Sequence, residues 1–305
     1  MKTLVILLGP TGVGKTELSL RLAQWLNTPV ISCDSRQFYR ELKIGTAAPT
    51  AGQLARVPHY FIGHLSVTDH YGAYQFEKDA LALLQNLFEK QENALMVGGS
   101  MMYIDAVCKG MDEMPSVDET LRQQLLQDFQ QQGLDAMTEL LQKLDPVYYN
   151  EVDLANHKRV LHALEVCLTA GKPYSSFRTN QPQKRPFKIL KIGLNRPREE
   201  LYERINARVD EMMREGLQAE ARGQYANKHL NALNTVGYKE LFACFDGRYT
   251  LDEAVSLIKQ NSRRYAKRQL TWFRRDDEIH WFHPDDEENI KAYLTANNIN
   301  KSNSQ

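Results

Sequence analysis

The feature that most constrains this chain is an octapeptide near its start, Gly9-Pro10-Thr11-Gly12-Val13-Gly14-Lys15-Thr16. It satisfies G-x-x-x-x-G-K-[ST] at every fixed position. Residues 4–8 before it (LVILL) are a continuous apolar run, the pattern of a strand buried on both faces. Residues 16–26 after it carry helical periodicity through Leu18, Leu22, Ala23 and Leu26. Strand, glycine loop and helix follow in the order the motif requires. The glycines let the backbone turn tightly and aim its N–H groups inward, and with the helix N-terminus they make an anion cradle. Lys15 supplies a cation to terminal phosphates, and the Thr16 hydroxyl is placed to ligate Mg²⁺. The motif implies bound phosphate oxygens and no particular reaction, since ATP-binding kinases, ATPases and GTPases share it.

The alternation continues. Residues 29–32 form a second short strand, 76–92 an amphipathic helix and 94–97 a third strand closed by Gly98-Gly99. This pattern predicts an α/β fold, a P-loop NTPase-like parallel sheet flanked by helices and joined by right-handed crossovers. Near Met114-Pro115 the pattern changes: residues 116–171 are rich in Gln and Leu, with turn signals at Gly133 and Asp145-Pro146 and no strand. Ser116 and Glu119 fit a capping box that would open a helix over 119–132. Residues 173–186 form a polar connector, and 187–194 (FKILKIGL) return as a strand that rejoins the sheet. Helices follow over 198–215 and within 251–275. The expected organisation is a discontinuous core, 1–114 and 187–284, a helical insertion domain, 115–186, and a frayed polar tail, 285–305.

Lysine plus arginine and aspartate plus glutamate both number 38, so the net charge is zero and a nucleic-acid partner must be met by a local basic surface. The candidate lies in residues 259–275, with Lys259, Arg263, Arg264, Lys267, Arg268, Arg274 and Arg275 and no acid to pair them. Trp272 and Phe273 in that stretch are expected in the core, with the cations facing RNA or diphosphate. Cys33, Cys108, Cys167 and Cys244 form no CxxC pair, which predicts free thiols in a reducing compartment. With no apolar stretch long enough for a membrane and an N-terminal run too short for a signal peptide, a cytoplasmic location is expected; the sequence does not fix the oligomeric state, for which a monomer is the expectation.

Asp34 closes the second strand, and in open parallel sheets the carboxyl ends of strands form the active crevice. A carboxylate there suits a metal ligand, a partner for a substrate hydroxyl, a general base or a helix N-cap shared with Ser35. Position alone leaves these alternatives open.

The segments GPTGVGKT (9–16), ISCDSRQFY (31–39), IGTAAP (44–49), PHYFIG (58–63), VGGSMMY (97–103), LDPVYY (144–149), ALEV (163–166), VGYKE (236–240) and RRYAKRQLTWFR (263–274) occur in this order. The set resembles the bacterial tRNA dimethylallyltransferase family from about residue 3 to residue 275. The resemblance implies transfer of dimethylallyl from its diphosphate to the exocyclic N6 amine of the adenosine at position 37 of tRNA, assisted by Mg²⁺. The partners it implies are dimethylallyl diphosphate and a tRNA anticodon stem-loop. It implies that the P-loop (Gly9, Pro10, Thr11, Gly12, Val13, Gly14, Lys15, Thr16) holds the donor's diphosphate and that Asp34 is the base. Ser100 stands where the family usually has threonine after VGG and would bond the amine or the diphosphate. Arg204 and Arg208, four apart on one helix face, are the candidates for a further diphosphate ligand, with Arg208 favoured. The implied tRNA contacts are Asp34, Ser35, Arg36, Gln37, Ser100, Arg122, Lys158, Arg159 and His162; Leu161 and His162 replace the serine and arginine of many members. A stacked target base must leave its stack before reacting, so a flipped base is expected to enter from the side opposite the donor. The alternatives are an adenylate isopentenyltransferase acting on free nucleotide, a small-molecule P-loop kinase, and a non-catalytic RNA-binding ATPase.

Overall fold

The structure is a computed structural model describing residues 1–115, 119–179 and 181–300. The capping box expected at Ser116 and Glu119 lies outside the described residues and side chains. The elements in chain order are β1 (Thr3–Leu8), α1 (Lys15–Leu26), β2 (Val30–Cys33), α2 (Ala51–Arg56), β3 (His59–Tyr60), α3 (Ala73–Phe88), β4 (Asn93–Gly98), α4 (Met101–Lys109), α5 (Glu119–Leu144), α6 (Pro146–Glu151), α7 (His157–Ala170), β5 (Lys188–Leu194), α8 (Arg198–Glu215), α9 (Leu217–Gly223), α10 (Tyr238–Phe245), α11 (Leu251–Phe273), β6 (Ile279–Phe282) and α12 (Glu287–Ala296). The chain forms two compact units, 1–108 with 184–305 and 109–183, so the breaks fall a few residues from the expected 114/115 and 186/187.

In the first unit six strands form one sheet in the order β3-β2-β4-β1-β5-β6. Every pairing is parallel. β1 shows why its sequence reads as unbroken apolar: Leu4, Ile6 and Leu8 pack with α3 and α4 on one face, and Val5 and Leu7 with α1 and α8 on the other. A strand covered by helices on both faces has no solvent side on which to place polar residues. The expected strand 187–194 does rejoin the sheet, beside β1 with Leu190 opposite Val5. Two edge strands, β3 and β6, escaped the sequence reading because β3 is two residues long and β6 (IHWF) has neither a long apolar run nor clean alternation.

Residues 285–305 are not a frayed tail as far as residue 300. α12 places Ile290 and Leu294, both 0% exposed, in the same core as Leu22 and Leu26, with Ile299 beside them. His280 of β6 stacks on Tyr293 at 4.4 Å. A short helix with two anchors per two turns carries too weak an apolar stripe to stand out among its charges.

The second unit, described by itself, is helical. α5 breaks at Gly133 (φ 81°), the expected turn. Leu125, Met137 and Leu141 pack against Val160 and Leu164 of α7. Asp145, 0% exposed, caps α6 by accepting from the Tyr148 N–H at 3.0 Å and accepts from the N–H and hydroxyl of Ser175 at 2.6 and 2.8 Å. No described helix is long and apolar enough to cross a membrane.

Leu294→Ala is expected to destabilise the protein by about 2–4 kcal/mol in a denaturant titration, the cost of a fully buried leucine lost from a packed core. A change below about 0.5 kcal/mol is what a solvated tail would give.

Candidate active site

The parallel register brings the carboxyl ends of β1, β4 and β2 to one edge, with Leu8 opposite Gly98 and Gly98 opposite Cys33. Three loops leave that edge: the P-loop after β1, Asp34-Ser35 after β2 and Gly99-Ser100 after β4. Gly98 is required there, since a Cβ on it would lie 2.0 Å from the Cys33 carbonyl oxygen. That close approach lets the Ser100 Oγ accept from the Ser35 N–H at 2.8 Å and donate to the Ser35 Oγ at 3.2 Å.

A cavity of about 1120 Å³ opens over these loops, lined entirely by residues of the sheet unit. The P-loop contributes Thr11, Gly12, Gly14, Lys15 and Thr16; the segment after β2 contributes Asp34 to Gln37. Arg204 and Arg208 of α8 face the same space, and Tyr265, Arg268 and Gln269 of α11 close it. Lys15 Nζ donates to the carbonyls of Gly9 and Pro10 at 2.9 and 2.8 Å. Arg204 Nε donates to the Gly12 carbonyl at 3.1 Å, and Arg208 Nη1 lies 3.5 Å from Thr11 Oγ1.

Burial dominates the electrostatics of these cations. Lys15 is lowered to about 7 by withdrawal from water; the nearby Asp34 carboxylate opposes the shift and Arg208 adds to it. Burial also lowers Arg208, against the pull of Asp34 and with a push from Arg204. Tyr265 is raised to about 12, first by burial and then by the negative charge of Asp34. Arg208 therefore interacts with both Lys15 and Asp34, whereas Arg204 is the more exposed of the pair.

Asp34 Oδ1 accepts from the Arg36 N–H at 3.0 Å, an Asx turn that orients the carboxylate without a helix to cap. Arg36 Nη1 donates to the carbonyls of Asn231 and Ala232 at 2.9 and 3.1 Å. Gln37 donates to the carbonyls of Thr46 and Ala47, at 3.2 Å each.

The remaining candidates belong to the helical unit. Lys158, Arg159 and His162 lie exposed on α7, and Leu161 points into that unit's core. Arg122 Nε pairs with Glu165 Oε1 at 3.0 Å, and His162 Nδ1 lies 3.5 Å from the same carboxylate.

Two features of α11 depart from the sequence reading. Lys259 is paired with Asp210 of α8 at 2.6 Å, a partner invisible within its own stretch. Arg264, Lys267, Arg268, Arg274 and Arg275 are exposed. Phe273 is buried, and Trp272 Nε1 donates to Asp105 Oδ2 at 2.9 Å, so both are structural, as expected. Gln269 was missed. It is 2% exposed, accepts from the Thr11 N–H at 2.9 Å and donates to the Gly99 carbonyl at 2.8 Å. Its signal was present: a lone amide on the face defined by Ala254, Ile258, Ala266 and Phe273. Arg196 was also missed; its Nε donates to the Val13 carbonyl at 2.9 Å while its Nη2 pairs with Asp285 at 2.9 Å.

These features define a P-loop α/β protein whose glycine loop opens into the same cavity as a strand-end carboxylate. Residues 37–276 match the IPP transferase family. The chain is 59% identical over 295 residues to tRNA dimethylallyltransferase 1 of Bacteroides fragilis, covering 97% of this chain and 98% of that one. It is 50% identical over 294 residues to tRNA dimethylallyltransferase of Christiangramia forsetii, covering 96% and 97%. The crystal structure of the full-length tRNA isopentenylpyrophosphate transferase from Bacillus halodurans superposes with a TM-score of 0.72 at 35% identity, covering 97% of this chain and 96% of that one. The chain belongs to the IPP transferase family.

A cation lowered to about 7 must take up a proton to meet an anion at higher pH. At pH 8, where Lys15 is mostly neutral, binding of dimethylallyl diphosphate is expected to draw in close to one proton. Calorimetry in buffers of different ionisation enthalpy measures this, and Lys15→Met should abolish the uptake.

Proposed function

We propose that this protein transfers the dimethylallyl group of dimethylallyl diphosphate to the exocyclic N6 amine of an adenosine beside the anticodon of tRNA. The observation that carries the reading is the shared cavity: Lys15, Thr16 and Arg208 line it together with Asp34. The donor's diphosphate lies in the P-loop cradle, where backbone N–H groups, Lys15 and Arg208 stabilise charge developing on the leaving oxygens. The allylic C–O bond breaks, the C–N bond to the amine forms, and the amine proton passes to the Asp34 carboxylate. Ser100, expected to bond the amine or the diphosphate, is buried and does not line the cavity; its hydroxyl holds the Ser35 N–H and Oγ, and so it supports the segment that carries Asp34.

A resident metal would need a cluster of protein ligands, and among the described residues no group of three His, Cys, Asp or Glu could hold one. The Thr16 hydroxyl, exposed at the start of α1, fits Mg²⁺ that keeps its waters and takes its other oxygens from the substrate. Bound there, Mg²⁺ would help neutralise the diphosphate. On the RNA side the exposed cations of α11 and, on the helical unit, Arg122, Lys158, Arg159 and His162 are the proposed tRNA contacts. A macromolecular acceptor accounts for these basic surfaces better than free adenylate does, because a mononucleotide carries too few phosphates to meet so many cations.

The deciding assay offers labelled dimethylallyl diphosphate with an anticodon stem-loop or with AMP; transfer to AMP alone would end the tRNA reading. Asp34→Ala should lower kcat by at least about a hundredfold while leaving RNA affinity nearly unchanged. An RNA-binding protein without catalysis would show no such separation.

A further inference from the structure

A carboxylate outside the cavity holds one of its walls. Glu220, on α9, accepts from the N–H groups of three successive residues: Lys43 at 2.9 Å, Ile44 at 2.9 Å and Gly45 at 2.9 Å. Its Oε1 also accepts from the Tyr238 hydroxyl at 2.6 Å. Consecutive amides that converge on one point make a concave anion site, here filled by a side chain of the same protein. The fit is close: Tyr238 is fully buried, and a Cβ on Gly45 would lie 2.7 Å from its ring. Burial, then the Glu220 charge, raise the tyrosine hydroxyl, which keeps it a donor at any working pH.

The loop gripped in this way turns Gly45 and Thr46 toward the cavity. The carbonyls of Thr46 and Ala47 each accept from the Gln37 side-chain amide at 3.2 Å. The other end of that amide accepts from Ser32 Oγ of β2 at 3.3 Å. Gln37 also lines the cavity, three residues after Asp34. A continuous set of hydrogen bonds thus runs from α9 to the Asp34 segment, and Glu220 itself does not line the cavity. The donor end is secured by different groups: Gln269, Arg196 and Arg204 hold the P-loop.

We propose that Glu220 is a positioning residue for the acceptor. It fixes the 43–47 loop and, through that loop, Gln37, and so sets the wall against which the target base lies; the inference rests on the prenyl-transfer reading. Loss of its charge should loosen the acceptor side and leave the donor side intact, a separation that general destabilisation would not produce.

Steady-state kinetics on the full-length protein test this, with dimethylallyl diphosphate and an anticodon stem-loop varied in turn. Glu220→Gln keeps the shape and removes the charge. It should raise KM for the stem-loop about tenfold, the scale of a lost charge-assisted hydrogen bond, and leave KM for the donor within about twofold. The double variant Glu220→Gln with Gln37→Ala should be no worse than the worse single variant, because both act through one path. An unchanged stem-loop KM, equal shifts in both KM values, or additive effects in the double variant would each overturn the proposal. If Glu220→Gln does not fold, Tyr238→Phe decides by the same KM split, with an expected rise of about threefold for the stem-loop alone. Failure of the wild type to prenylate the stem-loop would instead overturn the proposed function, so the two failures are told apart at the first assay.

Discussion

One buried amide ties the parts of this site together. Gln269 receives the Thr11 N–H and donates to the Gly99 carbonyl, joining the P-loop, the end of β4 and α11. The Gln269 amide and its bond to Gly99 are buried, so an unpaired partner there would bear the desolvation cost. Because Gln269 belongs to the helix that also carries exposed cations, that basic surface is tied to the P-loop by the same contact.

The cations of the cradle are arranged in mutual tension. Lys15 and Arg208 are withdrawn from water near each other, with Arg204 close by and Asp34 as the neighbouring negative charge. Such a cluster of like charges is unfavourable alone and is relieved by an anion placed among them. Backbone carbonyls hold Lys15 and Arg204 in place.

Another part of the cavity wall is organised by a different means, backbone groups held by carboxylates. Glu220 grips the 43–47 loop, and Glu240 accepts from the Gly237 N–H at 2.8 Å and from Asn261 Nδ2 at 2.7 Å, fixing the start of α10 against α11. Thus one cavity has a wall of cations and walls of anchored loops.

The sequence by itself determined the P-loop, the parallel α/β class, the end of α8 at Gly216 and the candidacy of Asp34, because each depends on local patterning: an apolar run, a glycine spacing, a strand end. It offered Arg204 and Arg208 together, since residues four apart share a helix face, and only the packed structure showed which of them is drawn into the field of Asp34. It also left Lys259 unpaired and the last helix unread, because the partners, Asp210 for the one and the Leu22 and Leu26 core for the other, are distant in sequence. Glu220 looks like an ordinary polar helix residue and Arg196 like an ordinary loop cation until the chain is folded, and Gln269, a lone amide on an apolar helix face, shows in the sequence its burial but not its partners. Their roles come from backbone groups of remote loops brought within hydrogen-bonding distance, and no period or spacing in a sequence encodes a contact between positions 170 to 258 apart.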